Sequence, residues 1–388
     1  MFEQIVWMAS TNPRLIGLDV LRFAAASIVL ITHSSNFGGA GMIFNKFPKT
    51  VGKIYDFFMP SGWTAVDIFF VLSGFLVSGL LFKEAAQTGT VSLSRFLIRR
   101  GFKIYPAFWV MIACTVVWTL LHGGSIPLKQ LLGELFYLQN YNGYRICWHT
   151  WSLAVEEHFY FLLAGLFFIL KRRAEPNRTI NFDSIPNIFL TVAVLCLTLR
   201  FITWLVTLCA SFDNFLWFIA ADHAVIDSLF FGMMLSHFWH NRWDARMKKR
   251  IFSFHWIFAL VGIGLLSPGF ADVMDIQWFR IFGFVLVYLG AGCLVLSCLA
   301  IDYFHCPVFI KWLAWLGKYS YSVYLWHFFV GEHLYPLVEV KTDNMSGWIL
   351  NATILFVCSW IFGILMASII EFPALRCRDR WFPPLSHA

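Results

Sequence analysis

Uninterrupted apolar stretches recur along the whole chain, and they set what it can fold into. They lie near residues 16–37, 62–82, 104–121, 151–170, 186–209, 221–239, 253–268, 277–300, 312–333 and 347–370. A helix needs about 20 predominantly apolar residues to cross a bilayer. The expected fold is therefore all-α, a polytopic membrane helix bundle of about ten transmembrane helices. Charge supports this: only 13% of the 388 residues are charged, against roughly 25% in soluble domains. Such a chain cannot clothe itself in a water-facing surface.

The connecting segments give the orientation. Arg95, Arg99, Arg100 and Lys103 precede the third run; Lys171, Arg172, Arg173 and Arg178 follow the fourth. Arg242, Arg246, Lys248, Lys249 and Arg250 follow the sixth, and Arg376, Arg378 and Arg380 follow the tenth. Placing all four clusters in the cytoplasm satisfies the positive-inside rule, with both termini cytoplasmic. Lys46, Lys49 and Lys53 in the first outer loop are discordant, but that loop is longer and more weakly charged. The clusters suit contact with anionic membrane lipid, and the net charge of +7 suggests no nucleic-acid partner. The first run is expected to be retained as a span, because it holds Arg22 and His33 and lacks a plausible cleavage site. One transmembrane domain over 1–388 is expected, with 371–388 as a short basic cytoplasmic tail and no soluble appendage.

Nine cysteines are scattered without CxxC pairs, most of them inside apolar runs (Cys114, Cys196, Cys293, Cys358). They read as small buried hydrophobes, and no metal is expected. No GxGxxG, Walker, HExxH or GxSxG pattern points to nucleotide, zinc or serine-hydrolase chemistry.

An ionisable side chain at membrane depth costs about 2.5–3.5 kcal/mol on insertion scales, so each one is a functional candidate. In LDVLRFAAASIVLITHSSNF, Arg22 and His33 are eleven residues apart. That spacing puts them within roughly 20° of one helix face and about 16 Å apart along the axis. One face then carries a permanent cation towards the cytoplasm and a titratable imidazole towards the outside. The bland reading pairs Arg22 with Asp19 and leaves His33 hydrogen-bonded near the interface. In HTWSLAVEEHFYF, Glu156 and Glu157 lie about two turns below the outer entrance. Adjacent positions diverge by about 100°, so only one is expected to orient a histidine from the first span. Otherwise they are an interfacial pair favoured by the helix dipole.

Asp67, Asp227 and His327 are further buried candidates; Ser73, beside Gly74, reads as close helix packing rather than a nucleophile. His327 is either a second acid/base or a satisfied core histidine. The cluster RFLIRRGFKIYP, with Pro106 just inside the following helix, suits phosphate groups as well as topogenic charge.

Five segments together resemble the acyltransferase family 3 membrane enzymes: LDVLRFAAASIVLITH, VDIFFVLSGFLVSGLL, FLIRRGFKIYP, HTWSLAVEEHFYF and SYSVYLWHFF. They arrive in the family's order and are spread over nearly the whole chain. The resemblance implies transfer of an acyl group, usually acetyl, from cytoplasmic acyl-coenzyme A to a hydroxyl of a sugar, glycan or lipid-linked acceptor at the outer side, without a metal. It makes Arg22 and His33 the essential pair, Glu156 and Glu157 the double glutamate, and Arg99, Arg100 and Lys103, with Arg95 beside them, the donor-binding cluster. Lys103 replaces a more usual arginine, which keeps charge but weakens bidentate phosphate binding. His149, Trp151 and Tyr321 join Asp67, Ser73 and His327 as supporting positions around the substrate. The family pattern has an arginine just before the residue matching Asp227; it is missing here, which puts a role for Asp227 in doubt. Some members carry an additional SGNH-type domain, and none is expected in this chain. The rival reading of the same buried charges is a secondary transporter or proton-coupled carrier.

Overall fold

The computed structural model describes residues 15–34, 37, 62–141, 145–174, 180–210, 222–270, 277–301, 306–341 and 345–383. Every regular element among them is helical. In chain order these are α1 (Ile16–His33), α2 (Gly62–Thr88), α3 (Leu93–Leu121), α4 (Leu128–Leu135), α5 (Trp151–Arg173), α6 (Ile185–Ala210) and α7 (Asp222–His237). They continue as α8 (Ala245–Ser253), α9 (His255–Phe270), α10 (Gln277–Leu299), α11 (Val308–Gly317), α12 (Ser320–Phe329), α13 (Met345–Met366) and α14 (Phe372–Trp381). Among the described residues, seven helices are long and apolar enough to cross a membrane, or eight if α8 and α9, bent by 66° at their junction, form one span. The chain is an integral, multi-pass membrane protein.

Three of the ten expected spans are not single long helices, 253–268 being the 16-residue α9 that reaches span length only with α8. Residues 312–333 break between α11 and α12, at the point where Gly317 abuts the backbone of Asp19 so closely that a Cβ would overlap its carbonyl. Of residues 221–239, those described form the 16-residue α7 and the start of a π-helical turn over Phe238–Arg242. The tail expected from residue 371 is helical as far as Trp381, since α13 runs through a π-helical turn, Ala367–Glu371, into α14. Lys46, Lys49, Lys53, Arg178 and both chain ends lie outside the described residues.

The centre of the bundle is α2. Within its apolar window 78% of residues are buried, against 17% for α6. A helix that is apolar all round belongs inside, whereas α6 turns Leu190, Val194 and Leu195 outward, as a lipid-facing helix does. The helix α2 packs against α7, α1 and α10, and α1 packs in turn against α11, α10 and α12. The α2–α7 crossing depends on two glycines: a Cβ on Gly74 would overlap the Leu229 carbonyl, and one on Gly232 would overlap that of Val71. Without side chains between them the backbones touch, the geometry small residues permit in membranes.

Candidate active site

A cavity of about 160 Å3 lies between α1, α2, α3, α5 and α12. Along α2 it extends from Val66 to Val77, about 16 Å of helix rise. Arg22, Arg100, Lys103 and Lys318 supply its cations, Ser73, Glu156 and Tyr160 a polar wall, and Ser152, Ser320, Tyr321 and Tyr324 further hydroxyls.

Arg22 both lines this cavity and pairs with Asp19 at 2.9 Å, so the two sequence readings of that arginine hold together. His33, eleven residues on, does not line it. The start of α2 at Gly62 lies beside the His33 imidazole, whereas Ser73, eleven residues further along α2, lies in the cavity wall beside Glu156.

His33 belongs to a cluster of three histidines. Its Nδ1 lies 2.8 Å from His327 Nε2, with the rings nearly parallel. His149, on the short turn Trp148–Thr150 ahead of α5, lies 4.9 Å from His327 between ring centres and stacks on Phe328. The cavity and the histidines share one boundary. Ser152 Oγ and Tyr324 OH, both cavity-lining, are 2.6 Å apart, and Tyr324 OH donates to the His149 carbonyl at 2.9 Å.

The glutamates diverge as their spacing requires, but neither reaches His33. Glu156 faces the cavity and accepts from Ser73 and Tyr160, whose oxygens lie 2.8 Å apart. Glu157 points to the other side and accepts from Tyr105, leaving its Oε2 buried without a hydrogen bond among the described residues. The expected carboxylate partner of His33 is thus replaced by His327. The reason is depth: Glu156 sits at the level of Ser73, well below Gly62. Ser73 is accordingly more than a packing residue, since its hydroxyl joins the cavity wall.

The basic cluster divides. Arg100 lines the cavity and lies over the Tyr160 ring at 5.3 Å. Lys103 lines it too, over the Tyr321 ring, and pairs with Glu371, whose other oxygen accepts from Ser322 at 2.6 Å. Arg99 turns away to α14, where it meets Asp379 at 3.1 Å and donates to the Phe382 carbonyl. Arg95 does not line the cavity, and its Nη2 is buried without a hydrogen bond among the described residues. Of the four expected donor-binding residues, two face the cavity.

The supporting residues divide as well. Tyr321 lines the cavity and donates to the Ile104 carbonyl at 2.8 Å. Trp151 packs edge-on against Phe70, outside the lining. Asp67 lies on the far side of α2 and accepts from Ser228 at 2.6 Å. Asp227 pairs at 2.6 Å with Arg200 of α6, so a cation from another helix compensates it. Sequence reasoning passed over Glu371, Arg200, Tyr160, Ser152 and Tyr324. The last three carried a signal: Tyr160 is one turn from Glu156, Tyr324 one turn from His327, and Ser152 lies within HTWSLAVEEHFYF.

The family of the acyltransferase domain matches residues 15–370. An O-acetyltransferase OatA of Staphylococcus aureus is 27% identical over 292 residues, 70% of this chain and 46% of its own length. A peptidoglycan O-acetyltransferase OatA of Listeria monocytogenes is 26% identical over 362 residues, 88% and 53% respectively. A putative O-acetyltransferase of Staphylococcus aureus is 28% identical over 343 residues, 81% and 50%. The chain spans about half the length of the curated relatives it matches. No solved structure gives a significant match. With the match running from the start of α1 nearly to the end of the π-helical turn before α14, the chain belongs to the acyltransferase family 3 membrane proteins.

Proposed function

We propose that this protein is an O-acyltransferase of the bacterial cytoplasmic membrane, moving an acyl group, in the first instance acetyl, from cytoplasmic acyl-coenzyme A to a hydroxyl of a glycan at the outer side. The observation that carries the reading is the cavity that has Arg22, Arg100 and Lys103 in its wall and abuts the histidine cluster at Ser152 and Tyr324. Arginine and lysine suit phosphate groups. A cavity of about 160 Å3 suits a narrow arm rather than a nucleotide, since about 150 Å3 holds a molecule the size of benzene. The nucleotide then stays at the basic face while the thioester end passes inward between the helices.

His33 acts as general base. It takes the acceptor hydroxyl's proton as that oxygen bonds to the thioester carbonyl, and the proton passes to the departing thiolate as the C–S bond breaks. The acceptor class follows the relative named as a peptidoglycan O-acetyltransferase. Glycan strands and lipid-linked sugars present the same hydroxyl chemistry.

The test is thiol release from acetyl-coenzyme A by purified, detergent-solubilised protein, with mass spectrometry of surface glycans from cells with and without the gene. Turnover in wild type, its loss in folded His33→Ala and Arg22→Ala, and an acetyl mass increment on a glycan are expected. Proton or anion transport without thiol release would identify a carrier and sink the proposal.

A further inference from the structure

The hydrogen-bond chain through the histidine cluster has a direction, and a backbone carbonyl sets it. His327 Nδ1 lies 2.5 Å from the Tyr324 carbonyl oxygen. A carbonyl oxygen only accepts, so the proton of a neutral His327 is on Nδ1 and its Nε2 carries a lone pair. That Nε2 lies 2.8 Å from His33 Nδ1. Two lone pairs cannot share a hydrogen bond, so His33 Nδ1 carries the proton there. His33 Nε2 is left bare.

We infer that His327 is a positioning residue: it fixes His33 in the tautomer whose Nε2 accepts the acceptor's proton. The inference rests on the proposed acyl transfer for its purpose, but the tautomer follows from the geometry alone. His327 and His149 are buried, whereas His33 is half-buried. Of the three, His33 alone is not fully buried. His149 donates its own Nε2–H to the Leu325 carbonyl at 2.9 Å. It leaves His33 to His327, and its Nδ1 is buried without a hydrogen bond among the described residues. His149 and Tyr324 are the titratable side chains packed beside the pair.

The arrangement resembles a Ser-His-Asp relay in logic, with a neutral imidazole in place of the carboxylate. The substitution suits a membrane interior. A buried carboxylate pays a heavy desolvation cost, whereas a neutral imidazole tied to a carbonyl offers an oriented lone pair and no charge. When His33 becomes an imidazolium during turnover, that lone pair still faces its Nδ1–H. The pair also explains how His33 is held in place without Glu156 or Glu157, both bonded elsewhere.

The experiment joins 15N-histidine NMR of the detergent-solubilised full chain with kinetics of His327→Ala and His327→Gln. In wild type, His33 is expected as the Nδ1-protonated, Nε2-bare tautomer, assigned by loss of its signal in His33→Ala. In His327→Ala the two tautomers mix, and kcat for thioester turnover falls roughly 100-fold, with KM for acetyl-coenzyme A unchanged and the rising limb of the pH–rate profile displaced. His327→Gln, whose amide oxygen can accept from His33, recovers part of both. An Nε2-protonated His33 in wild type, or His327→Ala with unaltered kcat and pH profile, overturns the inference. If His33→Ala itself keeps full turnover, the acyl-transfer reading fails instead, and the NMR result still decides the tautomer.

Discussion

Arg200 and Asp227 meet at 2.6 Å with neither side chain exposed at all, joining α6 to α7 in the interior of the bundle. The Arg200 guanidinium also lies over the Phe284 ring of α10 at 4.7 Å, so one cation ties three helices. Removing one partner of a buried pair strands the other charge, at a cost of about 3–5 kcal/mol. Arg200→Met and Asp227→Leu alone should each lower the thermal midpoint of the solubilised protein strongly. The double variant should lose much less than the sum. Additive losses would mean that the two residues act independently.

The division of the basic cluster predicts different outcomes for neighbouring arginines. Arg100 faces the cavity and Arg99 faces α14. Losing a charged hydrogen bond to phosphate costs about 1.5–3 kcal/mol, so Arg100→Ala should raise KM for acetyl-coenzyme A by roughly 10- to 100-fold. Arg99→Ala should leave that KM nearly unchanged and release α14, seen as faster limited proteolysis near Arg376–Arg380. Equal effects on KM would contradict the separation of their roles.

Glu156 and Glu157 should separate in the same way. Glu156→Gln alters the cavity wall at Ser73 and Tyr160 and is expected to reduce thioester turnover at least ten-fold, with little change in thermal midpoint. Glu157→Gln alters only the Tyr105 contact and is expected to stay within about three-fold of wild type, a shift of under 1 kcal/mol. Turnover assays on both variants, alongside melting curves, check the pair.

Outside the spans, Glu134 at the end of α4 holds the turn that carries His149. It accepts from the Ile146 amide at 2.9 Å and from the Thr150 hydroxyl at 2.9 Å. Burial pushes its carboxyl up from 4.5 to about 7, with those hydrogen bonds opposing the rise. A folded state that holds the proton more tightly than the unfolded chain is favoured at low pH. Glu134's contribution is therefore full below about 4.5 and fades as the pH climbs through about 7. Melting curves from pH 4.5 to 8 should show this decline in wild type, and Glu134→Gln should flatten it.

What could be read from the sequence was whatever repeats along a single helix. The Arg22–His33 spacing gives the approximate depth of both side chains, and the adjacency of Glu156 and Glu157 gives their divergence. The identity of the partners was hidden, because it depends on where distant helices come to rest. His33 meets His327 from 294 positions away, Lys103 meets Glu371, and Arg200 answers Asp227 from the preceding helix. Apolar run length also overstated two spans. Hydropathy does not register Gly317 seated on the Asp19 backbone, and that contact is where residues 312–333 part into α11 and α12.

The hydrogen bond between Ser152 and Tyr324 stands where the cavity meets the histidine cluster. Anything travelling up the cavity from Arg100 meets two hydroxyls before it meets an imidazole. Parting them costs on the order of 1 kcal/mol net, small enough for thermal motion to open the way in every cycle. In the proposed reaction, a thioester held at Arg100 would meet the histidines only once that contact parts.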